Sequence, residues 1–240
     1  MYKFNSRIRF SEIDKNGKLD IEGLINYFQD CSTFQTEDSK TPMKYLYARD
    51  LAWVVSSWQI EIFRMPSIGE KVVVGTIPYD MKGFIGYRNF FLETEDGERL
   101  SVANSIWSLI DIKKGLPVRV TPEIKESYPL GEKLDMNYGS RKIALPKDAR
   151  TFEAEPVEIN YFYLDTNNHV NNSKYIEIAL GAVKEIKTEF HSIRAIYQQQ
   201  AREGDIIKPL VFVTETSDNI TCTIALNDTE GKPYCIVELI

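Results

Sequence analysis

The sequence Leu164-Asp165-Thr166-Asn167-Asn168-His169-Val170-Asn171-Asn172-Ser173-Lys174-Tyr175 contains one of the two histidines of the chain and four asparagines within six positions. Asparagine and aspartate side chains cap helices and tolerate left-handed turns. Small and apolar residues then recur at intervals of three and four as far as Ile186, which predicts a helix. We therefore expect a loop that gathers polar side chains at the N-terminus of a helix.

A helix N-terminus presents free backbone N–H groups and a partial positive charge, which stabilise a carbonyl oxygen that gains negative charge. Asp165, Asn167 and His169 stand at i, i+2 and i+4. In an extended or turning backbone this spacing directs the three side chains to one side. They are the candidate catalytic residues; the alternative is an asparagine-rich cap with a surface histidine.

The composition limits the classes of protein to consider. The chain has 240 residues, is 43% hydrophobic and has a formal net charge of −6. This length allows one large domain or two of about 120 residues. No basic run could neutralise successive phosphates, so nucleic acid is not an expected partner. No signal-like or membrane-spanning apolar run is present, so we predict a cytoplasmic protein without membrane contact.

Metal and nucleotide motifs are not found in the sequence. The three cysteines, Cys31, Cys222 and Cys235, are widely spaced and form no CxxC pair. This spacing predicts buried thiols, with neither a disulfide framework nor a zinc site. There is no glycine-rich phosphate-binding loop, and no cofactor is predicted.

The opening part of the chain repeats the pattern of the histidine stretch. Asp14-x-Asn16-x-Lys18-Leu19-Asp20 matches Asp165-x-Asn167-x-His169-Val170-Asn171. An alternating strand precedes each copy and an amphipathic helix follows it, the first predicted over residues 21–35. Lys18 takes the place of His169. The pattern predicts an internal duplication.

Several strands follow the helix in each half. The predicted strands are 51–63, 72–74, 86–93 and 100–111 in the first half, and 193–200, 209–215, 220–226 and 234–240 in the second. Early helices and late strands predict an α+β fold with each helix packed on a curved antiparallel sheet. We divide the chain into 1–126, a proline- and glycine-rich linker at 127–150, and 151–240. Four basic residues in or at the end of the linker could contact an acidic protein or simply be solvated: Arg141, Lys142, Lys147 and Arg150.

The histidine stretch resembles the D-x-N-x-H-V-N-N-x-x-Y signature of the acyl-acyl carrier protein (acyl-ACP) thioesterases of plants and bacteria. The strand with Trp53 and Trp58, and the segment that starts at Tyr197-Gln198-Gln199-Gln200-Ala201, follow in the order shown by that family. The resemblance covers nearly the whole chain. It implies a double (tandem) hotdog fold, with catalysis in the second half and substrate binding in the first.

The resemblance also implies roles for individual residues. It places catalytic functions on Asp165, Asn167 and His169. Plant members carry a Glu-Cys pair where this chain has Gln200-Ala201, and Ala201 offers no nucleophile. Gln200 could hold a water molecule instead. Asn171, Asn172 and Trp58 are the predicted substrate-binding residues.

The predicted activity is hydrolysis of a fatty acyl-ACP thioester by water, with acyl carrier protein as the partner that delivers the substrate. His169 is the preferred base because its unperturbed pKa lies nearest neutrality. Alternatively, Asp165 is the base and His169 donates to the thioester oxygen. Other possibilities are an acyl-CoA thioesterase, a non-catalytic acyl-binding hotdog protein, or a hydratase or dehydratase on the same fold. Both a monomer and a homodimer are compatible with the sequence.

Overall fold

A computed structural model of the chain describes residues 1–186, 189–217 and 219–240. It divides into two compact units, Met1–Tyr138 and Gly139–Ile240. In the described residues, no helix is both long and apolar enough to cross a membrane.

Unit 1, residues Met1–Tyr138, packs one long helix against an antiparallel sheet. The helix, α1, spans Ile21–Glu37, and α2 and α3 are short helices at Met43–Tyr47 and Pro122–Glu126. The strands are β1 (Tyr2–Arg7), β2 (Leu51–Ile62), β3 (Lys71–Lys82), β4 (Ile85–Thr94), β5 (Arg99–Asp111) and β6 (Leu116–Pro117). The strand order is β1-β3-β4-β5-β2, with β6 beside β5.

Unit 2, residues Gly139–Ile240, repeats this arrangement in a shorter form. Its helix, α4, spans Asn172–Ala182. The strands are β7 (Arg150–Glu153), β8 (Val157–Glu158), β9 (Ser192–Tyr197), β10 (Ile206–Glu215), β11 (Ile220–Asn227) and β12 (Pro233–Leu239). They run in the order β9-β12-β11-β10-β7, with β8 beside β10. The predicted α+β class is confirmed, since each unit has a helix on an antiparallel sheet.

Both helices begin at a polar N-cap that the sequence supplies. The Asp20 carboxylate accepts the Gly23 N–H at the start of α1, and the Asn171 side chain accepts the Ser173 N–H at the start of α4. The apolar side of α1, which includes Leu24, packs on the sheet. These caps satisfy N–H groups that a helix leaves unpaired at its first turn.

The sheet of unit 1 is long-stranded and interrupted by bulges. The register shifts between Val55 and Ser57 in the pairing of β2 with β5, and between Pro78 and Asp80 in the pairing of β3 with β4. Bulges increase local twist and bend the strand, which helps a sheet to curve around a helix.

Part of the segment predicted as a linker packs on unit 1. Tyr128 is buried in a cluster with Leu46, Leu51, Leu109 and Ile124. Further along, Leu134 donates its N–H to Asn89 Oδ1, and the Tyr138 hydroxyl donates to the same oxygen. Residues 127–138 are thus held to unit 1 by buried contacts.

Two elements of unit 2 are shorter than predicted. α4 ends at Ala182 rather than at Ile186. A glycine next to the end, Gly181, and a β-branched residue after it, Val183, both weaken helix continuation. β9 ends at Tyr197 rather than at Gln200, because the N–H groups of Gln198 and Gln199 share the carbonyl of Tyr234 and break the strand pairing.

Candidate active site

The loop that carries His169 is built on the carboxylate of Asp165. Asp165 Oδ1 accepts the N–H groups of Asn167 (2.7 Å) and His169 (3.2 Å). The Asp165 N–H donates to the His169 carbonyl (2.7 Å), and Leu164 pairs with Val170 across the loop. These bonds fix the backbone on both sides of the histidine.

The loop turns through a left-handed residue. Asn168 has φ +60°, a conformation that asparagine tolerates better than most non-glycine residues. The residue at the same place in unit 1 is Gly17, with φ +74°. The left-handed turn predicted from the asparagine cluster is therefore confirmed.

Unit 1 builds the same loop without a histidine. Asp14 Oδ1 accepts the N–H groups of Asn16 (2.8 Å) and Lys18 (3.0 Å). Burial raises the pKa of Asp14, but the two N–H groups and the Asn16 side chain together lower it below its usual value. The Lys18 ammonium donates to Ser67 Oγ at 2.8 Å. The aspartate thus organises the loop in both units, which confirms the duplication.

At the N-terminus of α4, the N–H group of Asn172 has no acceptor among the described residues. The Asn171 N–H donates to the Tyr163 carbonyl (2.9 Å), the Ser173 N–H to Asn171 Oδ1 (3.2 Å) and the Lys174 N–H to the Asn171 carbonyl (3.0 Å). Over residues 1–186, 189–217 and 219–240, the N–H of Asn172 makes no hydrogen bond. The Asn172 N–H is therefore a candidate donor at the helix tip.

Gln200 lies next to a residue, Ala201, whose backbone bonds to the loop of His169. The Val170 N–H donates to the Ala201 carbonyl at 3.0 Å, which joins the histidine loop to the segment after β9. Val170 and Ala201 are both buried, whereas their neighbours His169 and Gln200 retain solvent exposure. Gln200 is exposed and His169 is half-buried.

The remaining predicted residues have different environments. Asn167 is exposed, and Asn171 uses its side-chain oxygen as the cap of α4. Trp58 is only 1% exposed and lies in the core of unit 1, where its ring packs against Phe28 and Phe90. Its indole N–H is buried without a partner among the described residues. The structure therefore joins the loop of Asp165 and His169 to the segment of Gln200 by a backbone bond in unit 2, and it shows Trp58 as a core residue of unit 1.

Three residues near the site had no assigned role in the sequence analysis. The hydroxyl of Tyr175 bonds to the segment after β9, and the hydroxyl of Tyr197 bonds to the start of α4. Arg202 is exposed and directly follows Ala201. The Tyr175 position was visible in the signature, but its partner was not, because the two segments are remote in sequence.

Comparison with known proteins adds an independent line of information. Residues 1–128 match the acyl-ACP thioesterase N-terminal domain, and residues 146–239 match the acyl-ACP thioesterase C-terminal domain. The oleoyl-acyl carrier protein thioesterase 2 of Arabidopsis thaliana is 25% identical over 239 residues, which cover 91% of this chain and 64% of that protein. The palmitoyl-acyl carrier protein thioesterase of Cuphea hookeriana is 31% identical over 197 residues, which cover 73% of this chain and 45% of that protein. The chain thus spans less than two thirds of the length of these relatives.

A solved structure shows the same fold. The acyl-ACP thioesterase of Bacteroides thetaiotaomicron superposes with a TM-score of 0.84 at 23% identity, over 99% of this chain and 96% of that one. The predicted tandem hotdog fold is confirmed. With both halves of the chain matched in order, on the fold and the histidine loop already described, the chain belongs to the acyl-ACP thioesterase family.

Proposed function

We propose that this chain hydrolyses fatty acyl-ACP thioesters by direct attack of water in unit 2. The observation that carries the proposal is the meeting of the His169 loop, the unpaired Asn172 N–H and the Gln200 segment at the start of α4. Family membership and the names of the relatives support acyl carrier protein as the partner that delivers the acyl group.

In this mechanism His169 removes a proton from the attacking water. The alternative, with Asp165 as the base, has less support because Asp165 Oδ1 already accepts two backbone N–H groups that hold the loop in shape. These bonds give the Asp165 carboxylate a structural role in the loop and leave only its Oδ2 to accept a proton. Asp165 therefore positions the histidine, and Asn167 offers an exposed amide beside it.

The oxyanion that forms on the thioester carbonyl is stabilised by the N-terminus of α4. The Asn172 N–H donates to that oxygen, and the partial charge of the helix end adds to the effect. Gln200 holds the water through its side-chain carbonyl, since an amide can accept and donate but cannot act as a carboxylate base. Ala201 provides no nucleophile, so no acyl-enzyme forms at that position.

Three further assignments remain predictions from the sequence. Asn171 and Trp58 as substrate-binding residues are retained, although Trp58 would have to become accessible from its core position. A cytoplasmic location, and a monomeric or homodimeric state, are retained on the same basis.

The test is hydrolysis of acyl-ACP by the wild-type chain and by His169→Ala. We expect kcat to fall by about 10² to 10⁴, because the general base is lost. Lys18→Ala is the matched control, since Lys18 occupies the same loop position in unit 1. Near wild-type turnover by His169→Ala would contradict the mechanism, and faster turnover of acyl-CoA than of acyl-ACP would contradict the proposed carrier.

A further inference from the structure

The hydroxyls of one buried and one half-buried tyrosine tie the start of α4 to β9 and to the segment that follows it. Tyr175, on α4, is 2% exposed, and its Oη accepts the Ala201 N–H at 2.8 Å. Tyr197, the last residue of β9, donates its hydroxyl to the Asn172 carbonyl at 2.9 Å. The two ring centroids are 5.8 Å apart, with the rings inclined at 64°. The first bond joins the backbone of Ala201 to the side chain of Tyr175 on α4, and the second joins the side chain of Tyr197 on β9 to the backbone of Asn172 on α4.

These bonds end on the neighbours of the proposed catalytic groups. Ala201 directly follows Gln200, and it is held at both ends, by Tyr175 at its N–H and by the Val170 N–H at its carbonyl. The residue bound by Tyr197 is Asn172, whose own N–H is unpaired among the described residues. A shift of either bond would therefore move Gln200 or the Asn172 N–H relative to the histidine loop.

Unit 1 shows that the fold does not need these hydroxyls. Its loop pairs in the same way, with the Leu19 N–H donating to the Pro66 carbonyl (2.9 Å), as Val170 donates to Ala201. Counted from the N-cap, Leu24 stands where unit 2 has Tyr175. Counted from the paired carbonyl, Ile62 stands where unit 2 has Tyr197.

The residue that binds Tyr175 also differs between the units. Pro66 has no N–H group and so needs no acceptor, whereas Ala201 has one that would be buried and unpaired without Tyr175. Unit 1 therefore closes the same loop with apolar residues and a proline. The tyrosine hydroxyl bonds occur in unit 2, which is the unit that carries His169.

The two hydroxyls are unsuited to proton transfer near neutral pH. Burial raises the pKa of Tyr175 and of Tyr197 above the usual tyrosine value, so both stay protonated while a histidine titrates. Their hydrogen bonds are thus constant through neutral pH.

We propose that Tyr175 and Tyr197 are positioning residues for thioester hydrolysis, which hold Gln200 and the Asn172 N–H in place against the His169 loop. The inference rests on the proposed function of the same site. They act through Ala201 and the Asn172 backbone rather than by touching the substrate. A displacement of about 1 Å in such a site can reduce the rate about 10²-fold.

The experiment compares Tyr175→Phe and Tyr197→Phe with Tyr27→Phe in the full chain. Tyr27 is the matched control, because it is a buried helix tyrosine of unit 1 whose hydroxyl donates to Glu12 Oε2 at 2.8 Å. The readouts are kcat and KM for acyl-ACP, the pH profile of kcat, the melting temperature and the exchange rate of the Ala201 amide.

We expect kcat to fall roughly tenfold to a hundredfold in the two unit 2 variants, with KM and the midpoint of the pH profile unchanged. The Ala201 amide should exchange faster in Tyr175→Phe, and Tyr27→Phe should change only the melting temperature. If Tyr175→Phe does not fold, Tyr197→Phe provides the test. That variant leaves no buried group unpaired, because the Asn172 carbonyl can still accept a hydrogen bond within the helix.

Two results would overturn the inference: kcat within about twofold of wild type in the Phe variants that fold, or a loss no larger than that of Tyr27→Phe. Activity retained by His169→Ala would instead contradict the proposed function. The two failures are therefore distinguishable.

Discussion

At the scale of single residues, the backbone N–H of Asn172 can be removed without removing the helix. Proline fits the first position of a helix, and the residue before a proline prefers an extended backbone. Asn171 already has φ −59° and ψ 141°, which meets that preference. Asn172→Pro therefore deletes one hydrogen-bond donor while α4 keeps its start.

We expect kcat of Asn172→Pro to be about 10² to 10³ below that of Asn172→Ala, because only the alanine variant retains the N–H that stabilises the oxyanion. Both variants lose the side chain, so their ratio isolates the backbone donor. The measurement is steady-state hydrolysis of acyl-ACP, with circular dichroism to confirm that α4 is folded. Equal kcat values would show that the Asn172 N–H does not contact the reacting oxygen.

Backbone conformation also explains why an asparagine stands at position 168. The loop requires one left-handed residue, which is Asn168 in unit 2 and Gly17 in unit 1. Glycine and asparagine are the residues that adopt this conformation most readily. The sequence could therefore predict the turn, although it could not show which backbone groups Asp165 would bind.

At the scale of elements, α1 contacts the sheet of unit 1 through polar as well as apolar groups. Arg88, on β4, is 8% exposed and donates from Nη1 to Gln35 Oε1 on α1 and to Thr76 Oγ1 on β3. Its guanidinium lies 5.5 Å from the centroid of the Tyr128 ring. Burial lowers the pKa of Arg88 to about 10. The bond to Gln35 links the helix to the sheet at the cost of burying a charge.

Arg88→Met should lower the free energy of unfolding by about 1–3 kcal/mol, because the buried carbonyl of Gln35 loses its donor. Adding Gln35→Leu should restore most of that loss, since an apolar pair of similar volume replaces the polar one. Urea denaturation of the two single variants and the double variant gives the coupling energy. Purely additive changes would show that the Arg88–Gln35 bond does not contribute.

The elements themselves were predictable to different degrees. The long strands of unit 1 repeat β-branched and aromatic residues, and β2 was predicted at 51–63 and observed at Leu51–Ile62. The end of β9 was not predictable from residues 193–200. It depends on the Tyr234 carbonyl, which accepts two successive N–H groups and belongs to a strand remote in sequence.

At the scale of the whole molecule, buried tyrosines make the free energy of unfolding fall as the pH rises into the alkaline range. Burial is the largest cause that raises the pKa of Tyr27 and of Tyr234 to about 12 each. In the unfolded chain a tyrosine titrates at about 10. Between these values the unfolded state loses protons that the native state retains, so the free energy of unfolding falls as the pH rises.

We expect the free energy of unfolding to decline by about 1.4 kcal/mol per pH unit for each buried tyrosine between about pH 10 and 12, with a further contribution from the thiols of Cys31, Cys222 and Cys235, whose pKa values burial also raises. Urea denaturation at a series of pH values, followed by tyrosinate absorbance, measures the slope. Tyr27→Phe should reduce the dependence of the free energy of unfolding on pH by the contribution of one tyrosine. A stability that is flat through this range would contradict the burial of these hydroxyls.

The duplication is the feature of the whole molecule that the sequence determined. Asp14, Asn16 and Lys18 repeat the spacing of Asp165, Asn167 and His169, and a local loop needs only that spacing to form again. Helix periodicity, strand composition and the signature around His169 are likewise local patterns. They were sufficient for the α+β class and, through the family resemblance, for the tandem hotdog fold and the candidate catalytic residues.

Tertiary structure decided which side chains act on that loop. The hydroxyl of Tyr175 bonds to Ala201, and the Val170 N–H bonds to the same residue from the other side. The core of unit 1 encloses Trp58, which the sequence had suggested for substrate contact. Such outcomes depend on how residues far apart in the chain pack and satisfy each other's buried polar groups, and local propensity carries no information about those partners.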